Sequence, residues 1–439
     1  MTVSAYPLRG APPEFSPGYP ARAVVDLSAI RDNVRALRAA ASTAQVMAVV
    51  KADAYGHGLL PSARAALAGG ATWLGTAQVA EALRLRAEGV TPAQARVLTW
   101  LYAPGAPFED LVAADVDVAV AAAWALDEVA TGARAAGSPA RVHLKVDTGL
   151  GRNGLVPGDL AAALDRAAAL EAEGVIRLVG VMSHFALADE PGHPTVRAQL
   201  DVFDDVVRAV EAAGFDPEVR HMANSAATVT NPQTHYDLVR PGLAVYGLSP
   251  VPQLGPPGDY GLRPAMTLEA RLATVKRVPA GTGVSYGHHY TTTQETVLGV
   301  VPLGYADGIP RHASGGALGP GGPVLVGGGL GDVAGPDAGP GTARVVRVAG
   351  RVCMDQIMLD LGPYATEQAG DVVTLFGAGD GLAHAGGPGA EDWAQAAGTI
   401  SYEIVTRLGA RVPRVYTGLH EAGADTMDLS GFAARGAWS

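Results

Sequence analysis

The chain has 439 residues, 48% of them hydrophobic, and carries 32 Lys and Arg against 43 Asp and Glu for a net charge of −11. That apolar content excludes a disordered whole, and the acidic balance argues against nucleic-acid binding, which needs basic patches. A single cysteine, Cys353, excludes an intrachain disulfide or a cysteine-cluster metal site and points to a reducing, cytoplasmic setting.

Residues 1–20 carry Pro7, Pro12, Pro13, Pro17 and Pro20 with Glu14, which reads as a flexible N-terminal arm and not a signal peptide. No apolar run approaches the ~20 residues of a membrane span. No histidines show HExxH-type spacing, so no metal site is expected. From Ala21 to Leu248 short β-rich runs alternate with Ala- and Leu-rich helical segments. The runs are Ala23–Leu27, Val46–Val50, Trp73–Gly75, Val97–Trp100, Val116–Val120, Arg141–Val146, Leu178–His184, Val219–Ala223 and Leu238–Arg240. The helical segments include Ser28–Ala41, Leu59–Ala68, Val79–Glu88, Ala122–Ala136, Gly158–Glu173 and Thr195–Ala213, with Ser28 a candidate cap.

This alternation predicts βα units on a parallel sheet, and about eight units in roughly 230 residues suit a (β/α)8 TIM-like barrel over 21–250. A doubly wound open sheet is the competitor. Lys51, Lys145, His184, Asn224–Ser225 and Arg240 each follow a β run directly. In a barrel those ends converge on one face, where catalysis sits.

Beyond the Pro- and Gly-rich linker Val251–Gly261 the pattern becomes strand-like, at Met266–Val278, Thr296–Pro302, Ala343–Val348, Gln356–Leu361 and Asp371–Phe376. A second, mostly β domain over 251–439 is expected. The 57 Gly are many, and two stretches rich in them, 327–341 and 377–389, read as surface loops.

The sharpest string is Ala48-Val-Val-Lys51-Ala-Asp-Ala-Tyr55-Gly-His-Gly58. A lysine at a strand end is most often solvated. On a barrel's catalytic face it can instead condense with a carbonyl cofactor if its surroundings lower its pKa. Further blocks follow: Lys145-Val-Asp-Thr-Gly-Leu-Gly-Arg152, Met182-Ser-His184-Phe, Asn224-Ser225-Ala226, Arg240-Pro-Gly242, Ser285-Tyr286-Gly287, Gly304-Tyr305-Ala-Asp-Gly308, Arg351-Val-Cys-Met354-Asp355 and Ser401-Tyr402-Glu403.

Together these blocks resemble the alanine racemases, in which a TIM-like barrel with a pyridoxal-phosphate lysine precedes a C-terminal β domain. The resemblance spans about Ala21 to Tyr416. It implies pyridoxal 5'-phosphate as cofactor, a small amino acid as substrate, and a homodimer with shared sites. In a bacterial setting the D-alanine would feed cell-wall peptide synthesis. Two bases are implied: Lys51 for D-alanine and, from the partner subunit, Tyr286 for L-alanine. A free tyrosine has a pKa of ~10, and the resemblance supplies a chain from Tyr286 through His184 to Arg240 that lowers it. Arg240 would face the cofactor's ring nitrogen and keep it unprotonated.

Tyr55, Ser225, Gly242, Leu243 and Tyr402, with Asn224 beside them, would hold the phosphate. Read without the family, Ser225 is an N-cap. Arg152 would bind the cofactor's phenolic oxygen and, with the Met354 backbone N–H, the substrate carboxylate. Lys145 matches the lysine that is carbamylated in many family members; read without the family, it is an ion-pair partner of Asp147 or another carboxylate. Asp189, Arg311, Arg351 and Tyr305 would line an access corridor, Tyr305 also narrowing the pocket. Cys353 reads as a packed small residue. The competing functions are a broad-specificity amino-acid racemase, a diamino-acid decarboxylase of the same fold type, and a non-catalytic pyridoxal-phosphate carrier.

Overall fold

A computed structural model describes residues 15–16, 18–328, 342–379, 381–384 and 387–418. Most of the N-terminal arm, residues 329–341 of the first glycine-rich loop, and residues 419–439 lie outside the described residues.

Eight parallel strands form one sheet: β2 (Gln45–Val49), β3 (Trp73–Gln78), β4 (Arg96–Leu101), β5 (Asp117–Val120), β6 (Ala140–Lys145), β7 (Ile176–Met182), β8 (Val219–His221) and β9 (Leu238–Val239). β9 pairs with β2. Between β8 and β9 the Asp237 and Arg240 N–H groups donate to the Arg220 and Ala223 carbonyls, closing the barrel. The helices between strands turn apolar faces inward. The first, Leu27–Ala40, buries Leu27, Ile30, Val34 and Leu37 at helical spacing, each contributing ~1.5–3 kcal/mol. Its cap is Asp26, which accepts from the Ser28 and Ala29 N–H groups. Ser28, the expected cap, instead donates its hydroxyl to Asp26 at 2.6 Å.

The strand at Ala21–Asp26 (β1), counted above with the barrel, does not enter it. It pairs antiparallel with Met266–Arg271 and parallel with Arg414–Thr417, in the second domain's six-stranded sheet. An ion pair between Arg22 and Glu269 at 2.7 Å fastens that pairing. The barrel is complete without β1, because Leu238–Val239 supplies the eighth strand. The chain therefore begins in one domain, builds the barrel, and returns to its first strand. The predicted run Met266–Val278 divides into Met266–Arg271 and Thr274–Val278, which join different sheets. The second of these pairs with Thr296–Val301, and that strand with Ile357–Gly362. Among the described residues no helix is long and apolar enough to cross a membrane.

Candidate active site

Lys51 leaves β2 at the C-terminal mouth of the barrel and opens an unusual turn. Four successive non-glycine residues, Ala52 to Tyr55, take φ between 53° and 56°. A left-handed turn of L-residues costs about 1–2 kcal/mol per residue. It persists because its surroundings over-determine it. Glu81 accepts from the Ala52 N–H at 2.6 Å, and Asp53 from the Leu59 N–H at 2.9 Å. The buried His57 meets the Ala54 and Tyr55 carbonyls at 3.0 and 2.9 Å. Burial lowers the His57 pKa to about 4, so the ring is neutral and its Nδ1–H is the donor. Arg414, from the second domain, donates to the Gly56 carbonyl at 2.9 Å. The turn sets the Lys51 Nζ 6.0 Å from the centre of the Tyr55 ring.

Cations converge on this mouth. The Lys51 pKa is lowered by burial first, then by the Arg152 charge, against an opposing contribution from Glu81. Lys145, at the end of β6, is lowered to about 8 by burial and by the charges of Arg240 and Arg152. Its ammonium donates to the Asn153 carbonyl. Asp147, its expected ion-pair partner, turns its carboxylate to the Gly149, Leu150 and Gly151 N–H groups and shapes the loop that presents Arg152.

Arg240 is 5% exposed. Its guanidinium donates to the Ser183 carbonyl at 2.7 Å, to His221 Nδ1 at 3.1 Å and to His184 Nδ1 at 3.3 Å. No carboxylate touches it among the described residues. Burial and the surrounding cations, Arg240 foremost, hold the His184 pKa well below its usual value. Its ring is therefore neutral, with the proton on Nε2.

The phosphate cradle expected at Ser225, Gly242 and Leu243 is one packed unit. Asn224, and not Ser225, caps the helix Ser225–Thr230, accepting from the Ala227 N–H at 3.1 Å. Ser225 Oγ is thereby free to accept from the Gly242 and Ala244 N–H groups at 2.8 and 3.2 Å. A Cβ on Gly242 would lie 2.2 Å from the Tyr55 hydroxyl, so only glycine fits. Tyr402 comes from the second domain, on the helix Ser401–Thr406, with its ring 6.2 Å from that of Tyr55. Burial, then Asp189, raises its pKa to about 12. Thr406 donates its hydroxyl to the Tyr402 carbonyl.

Tyr286, Tyr305, Met354, Arg311 and Arg351 form a second group on the β domain. Tyr286 is 72% exposed and Met354 53% exposed. Ser285, at φ 62°, donates its hydroxyl to the Arg351 carbonyl at 2.7 Å, and the Tyr305 N–H donates to the Cys353 carbonyl at 3.0 Å. Ser314 Oγ donates to the Arg311 carbonyl and accepts from the Val352 N–H. Cys353 is half-buried, its Sγ 3.3 Å from Ser285 Oγ. Among the described residues no hydrogen bond or ring contact joins this group to Lys51, His184 or Arg240.

Sequence comparison bears on both halves. Residues 25–250 match the family profile "Alanine racemase, N-terminal domain" and residues 265–416 match "Alanine racemase, C-terminal domain". This chain belongs to the alanine racemase family. It is 58% identical over 398 residues to alanine racemase from Streptomyces coelicolor, covering 90% of this chain and 95% of that one. A Frankia casuarinae alanine racemase is 58% identical over 394 residues, with the same coverage. The crystal structure of alanine racemase from a D-cycloserine-producing Streptomyces lavendulae superposes with a TM-score of 0.84 at 56% identity, covering 92% of this chain and 98% of that one.

In this family member, sequence reasoning passed over Glu81. Besides gripping Ala52, its other carboxylate oxygen accepts from the Ala77 and Gln78 N–H groups at 3.1 and 3.0 Å, binding the end of β3 to the lysine turn. The signal was a glutamate three residues into a helix, at a capping-box position. Glu81→Gln removes the one contribution that favours charged Lys51 against burial and two arginines, so the Lys51 pKa should fall further. The pH dependence of Lys51 acylation by an amine-selective reagent, followed by mass spectrometry on cofactor-free protein, should move to lower pH. An unchanged profile would mean that Glu81 acts only through the backbone.

Proposed function

We propose that this protein interconverts L- and D-alanine with pyridoxal 5'-phosphate, as a cytoplasmic homodimer whose sites are shared between subunits. The observation that carries the reading is Lys51, its pKa depressed by burial and by the charges of Arg152 and Arg240, at the mouth of a barrel in a chain that matches the alanine racemase domains over residues 25–250 and 265–416. The donor set fits the cofactor. Tyr55, Tyr402, Ser225 and the backbone at Gly242–Leu243 would receive a phosphate, and the close packing of Gly242 on the Tyr55 hydroxyl preforms that cradle. Arg240, buried with no carboxylate touching it among the described residues, offers a guanidinium suited to an unprotonated ring nitrogen, and Arg152 would bind the phenolic oxygen.

When bound, pyridoxal phosphate supplies a conjugated electron sink that acidifies the Cα–H of an amino acid. The residues of this chain do the rest. Arg152 and the Met354 N–H hold the substrate carboxylate. Lys51, its pKa lowered by burial and by the Arg152 charge, exchanges the proton on one face at Nζ. Tyr286 of the partner subunit exchanges it on the other at its phenolic oxygen, with neutral His184 next in line toward Arg240. Tyr305 limits the side chain to a small one, and Asp189, Arg311 and Arg351 line the approach.

Incubation in D2O with alanine, serine, lysine and arginine tests the reading. Alanine should gain α-deuterium with inversion fastest, and without loss of CO2. CO2 release from lysine or arginine would replace racemisation by decarboxylation, and equal rates on serine would make the enzyme a broad-specificity racemase.

Lys145 carries a second expectation. With a pKa of about 8 its amine is partly neutral at physiological pH, and neutral amines take up CO2. We expect a carbamate whose occupancy rises as pH passes upward through about 8, read by carbon NMR under labelled bicarbonate. The carbamate would replace a cation by an anion beside Arg152 and brace it. Lys145→Met should abolish the signal.

A further inference from the structure

The barrel interior below Arg240 is an apolar layer with one exception. Seven strands each give one residue to a buried cluster: Met47, Trp73, Leu98, Ala119, Met182, Val219 and Leu238. The remaining strand, β6, gives His143 at the same level, fully buried with its ring edge-on to Trp73 at 5.6 Å. Gly180 on β7 makes room for it, since a Cβ there would lie 2.1 Å from His143 Nδ1.

This histidine belongs to a continuous chain. His143 Nε2 lies 3.1 Å from Asp117 Oδ2, His143 Nδ1 lies 2.8 Å from His221 Nε2, and His221 Nδ1 lies 3.1 Å from Arg240 Nη1. Asp117 is fully buried and is paired with Arg96 and Arg141 at the far end of the barrel. Burial opposes its ionisation, but the hydrogen bond from His143 and the two arginines outweigh it, so its pKa is lowered and it is a carboxylate.

The two ends dictate the direction of every bond between them. A carboxylate only accepts, so His143 Nε2 carries a proton. A guanidinium only donates, so His221 Nδ1 is bare. Burial keeps both rings neutral, leaving His143 Nδ1 as acceptor and His221 Nε2–H as donor. All three bonds run from Arg240 toward Asp117 through buried side chains, where dipoles in series reinforce one another.

We propose that His143 and Asp117 are positioning residues for Arg240: they lock His221 in the tautomer that accepts from the guanidinium, and so fix the guanidinium at the barrel mouth. Arg240 has no carboxylate in contact among the described residues. The chain connects it to one across the barrel without placing a negative charge in the site, where a carboxylate would compensate Arg240 but also repel an anionic cofactor and substrate. The inference rests on the racemase reading for what Arg240 does there.

The test begins with wild-type protein free of cofactor, labelled with 15N-histidine. NMR at neutral pH should show His143 and His221 each with a protonated Nε2 and a bare Nδ1. A protonated Nδ1 on either ring, or a doubly protonated ring, overturns the proposal whatever the activity. His143→Phe keeps the ring against Trp73 and removes both bonds. His221 should then populate both tautomers, and kcat should fall about tenfold, the loss expected for one hydrogen bond to a charged group, while KM stays within about twofold. A purely structural His143 would lower stability and leave the His221 tautomer unmoved. An unmoved tautomer with kcat within about twofold of wild type overturns the proposal and leaves the racemase reading standing. A wild-type protein that does not racemise alanine defeats that reading instead, and the proposal with it, because the role of Arg240 falls too. If His143→Phe does not fold, the wild-type spectrum still decides.

Discussion

Lys51→Ala is expected to lower racemisation in both directions by ~10^4 or more, the upper range for a positioned acid–base group. The visible absorbance of the cofactor-loaded protein should vanish with it. Both losses follow from one amine serving as tether and as base. Stability should move the other way. In the folded protein the charged form of Lys51 is penalised by burial and by Arg152, so its pKa lies below the unfolded value. A base with a lowered folded pKa destabilises the fold below that pKa, and the penalty fades as pH rises toward the unfolded value of ~10.4. With both proteins free of cofactor, the variant should therefore melt at or above the wild-type temperature at pH 7, with any advantage shrinking at alkaline pH. Thermal unfolding across pH, beside activity and absorbance, separates this from misfolding. An active, coloured Lys51→Ala protein would remove the lysine from the chemistry.

Lys51, Lys145, His184, Ser225 and Arg240 were visible in the sequence because each follows a β run, and a parallel barrel gathers strand ends on one face; Arg152, Tyr286, Met354 and Tyr402 were legible only through the family resemblance. The same reasoning explains what stayed hidden. β1 has the composition of a barrel strand, and local composition cannot say which sheet it joins. That depends on a partner about 240 residues later, Met266–Arg271. The left-handed turn at Ala52–Tyr55 has no marker in its own residues. It is imposed by Glu81, His57 and Arg414, which are distributed over both domains. The Asp117–His143–His221 chain was concealed for a different reason. Strand alternation says that a residue faces inward, but not that residues from three strands meet at successive depths. Ser225 shows how two readings merge: the cap role went to Asn224, and that leaves the serine hydroxyl to the Gly242 backbone.

Tyr286→Phe should impair abstraction from L-alanine far more than exchange at D-alanine, and mixed dimers should reveal where Tyr286 acts. In this chain the tyrosine is 72% exposed, is presented by strained backbone at Ser285 and His288, and has no hydrogen-bond partner for its hydroxyl among the described residues. Strain of that kind, about 1–3 kcal/mol per residue, persists where a functional contact uses it. That contact is absent among the described residues of one chain and is expected across the dimer. Consider Lys51→Ala and Tyr286→Phe subunits mixed in equal amounts and allowed to exchange. Each inactive homodimer lacks one base in both sites. A mixed dimer with sites shared in trans has one site missing both residues and one site with both intact. Half the dimers are mixed and half their sites are whole, so activity should return to about a quarter of wild type. If Tyr286 served its own chain's Lys51, every site in the mixture would lack one base and no activity would return. The experiment thus decides between a shared and a private site with variants that are each inactive alone. It also measures the cost of the opposite-face base: α-deuterium wash-in from L-alanine by Tyr286→Phe homodimers should fall ~10^2–10^4-fold, while wash-in at D-alanine through Lys51 continues.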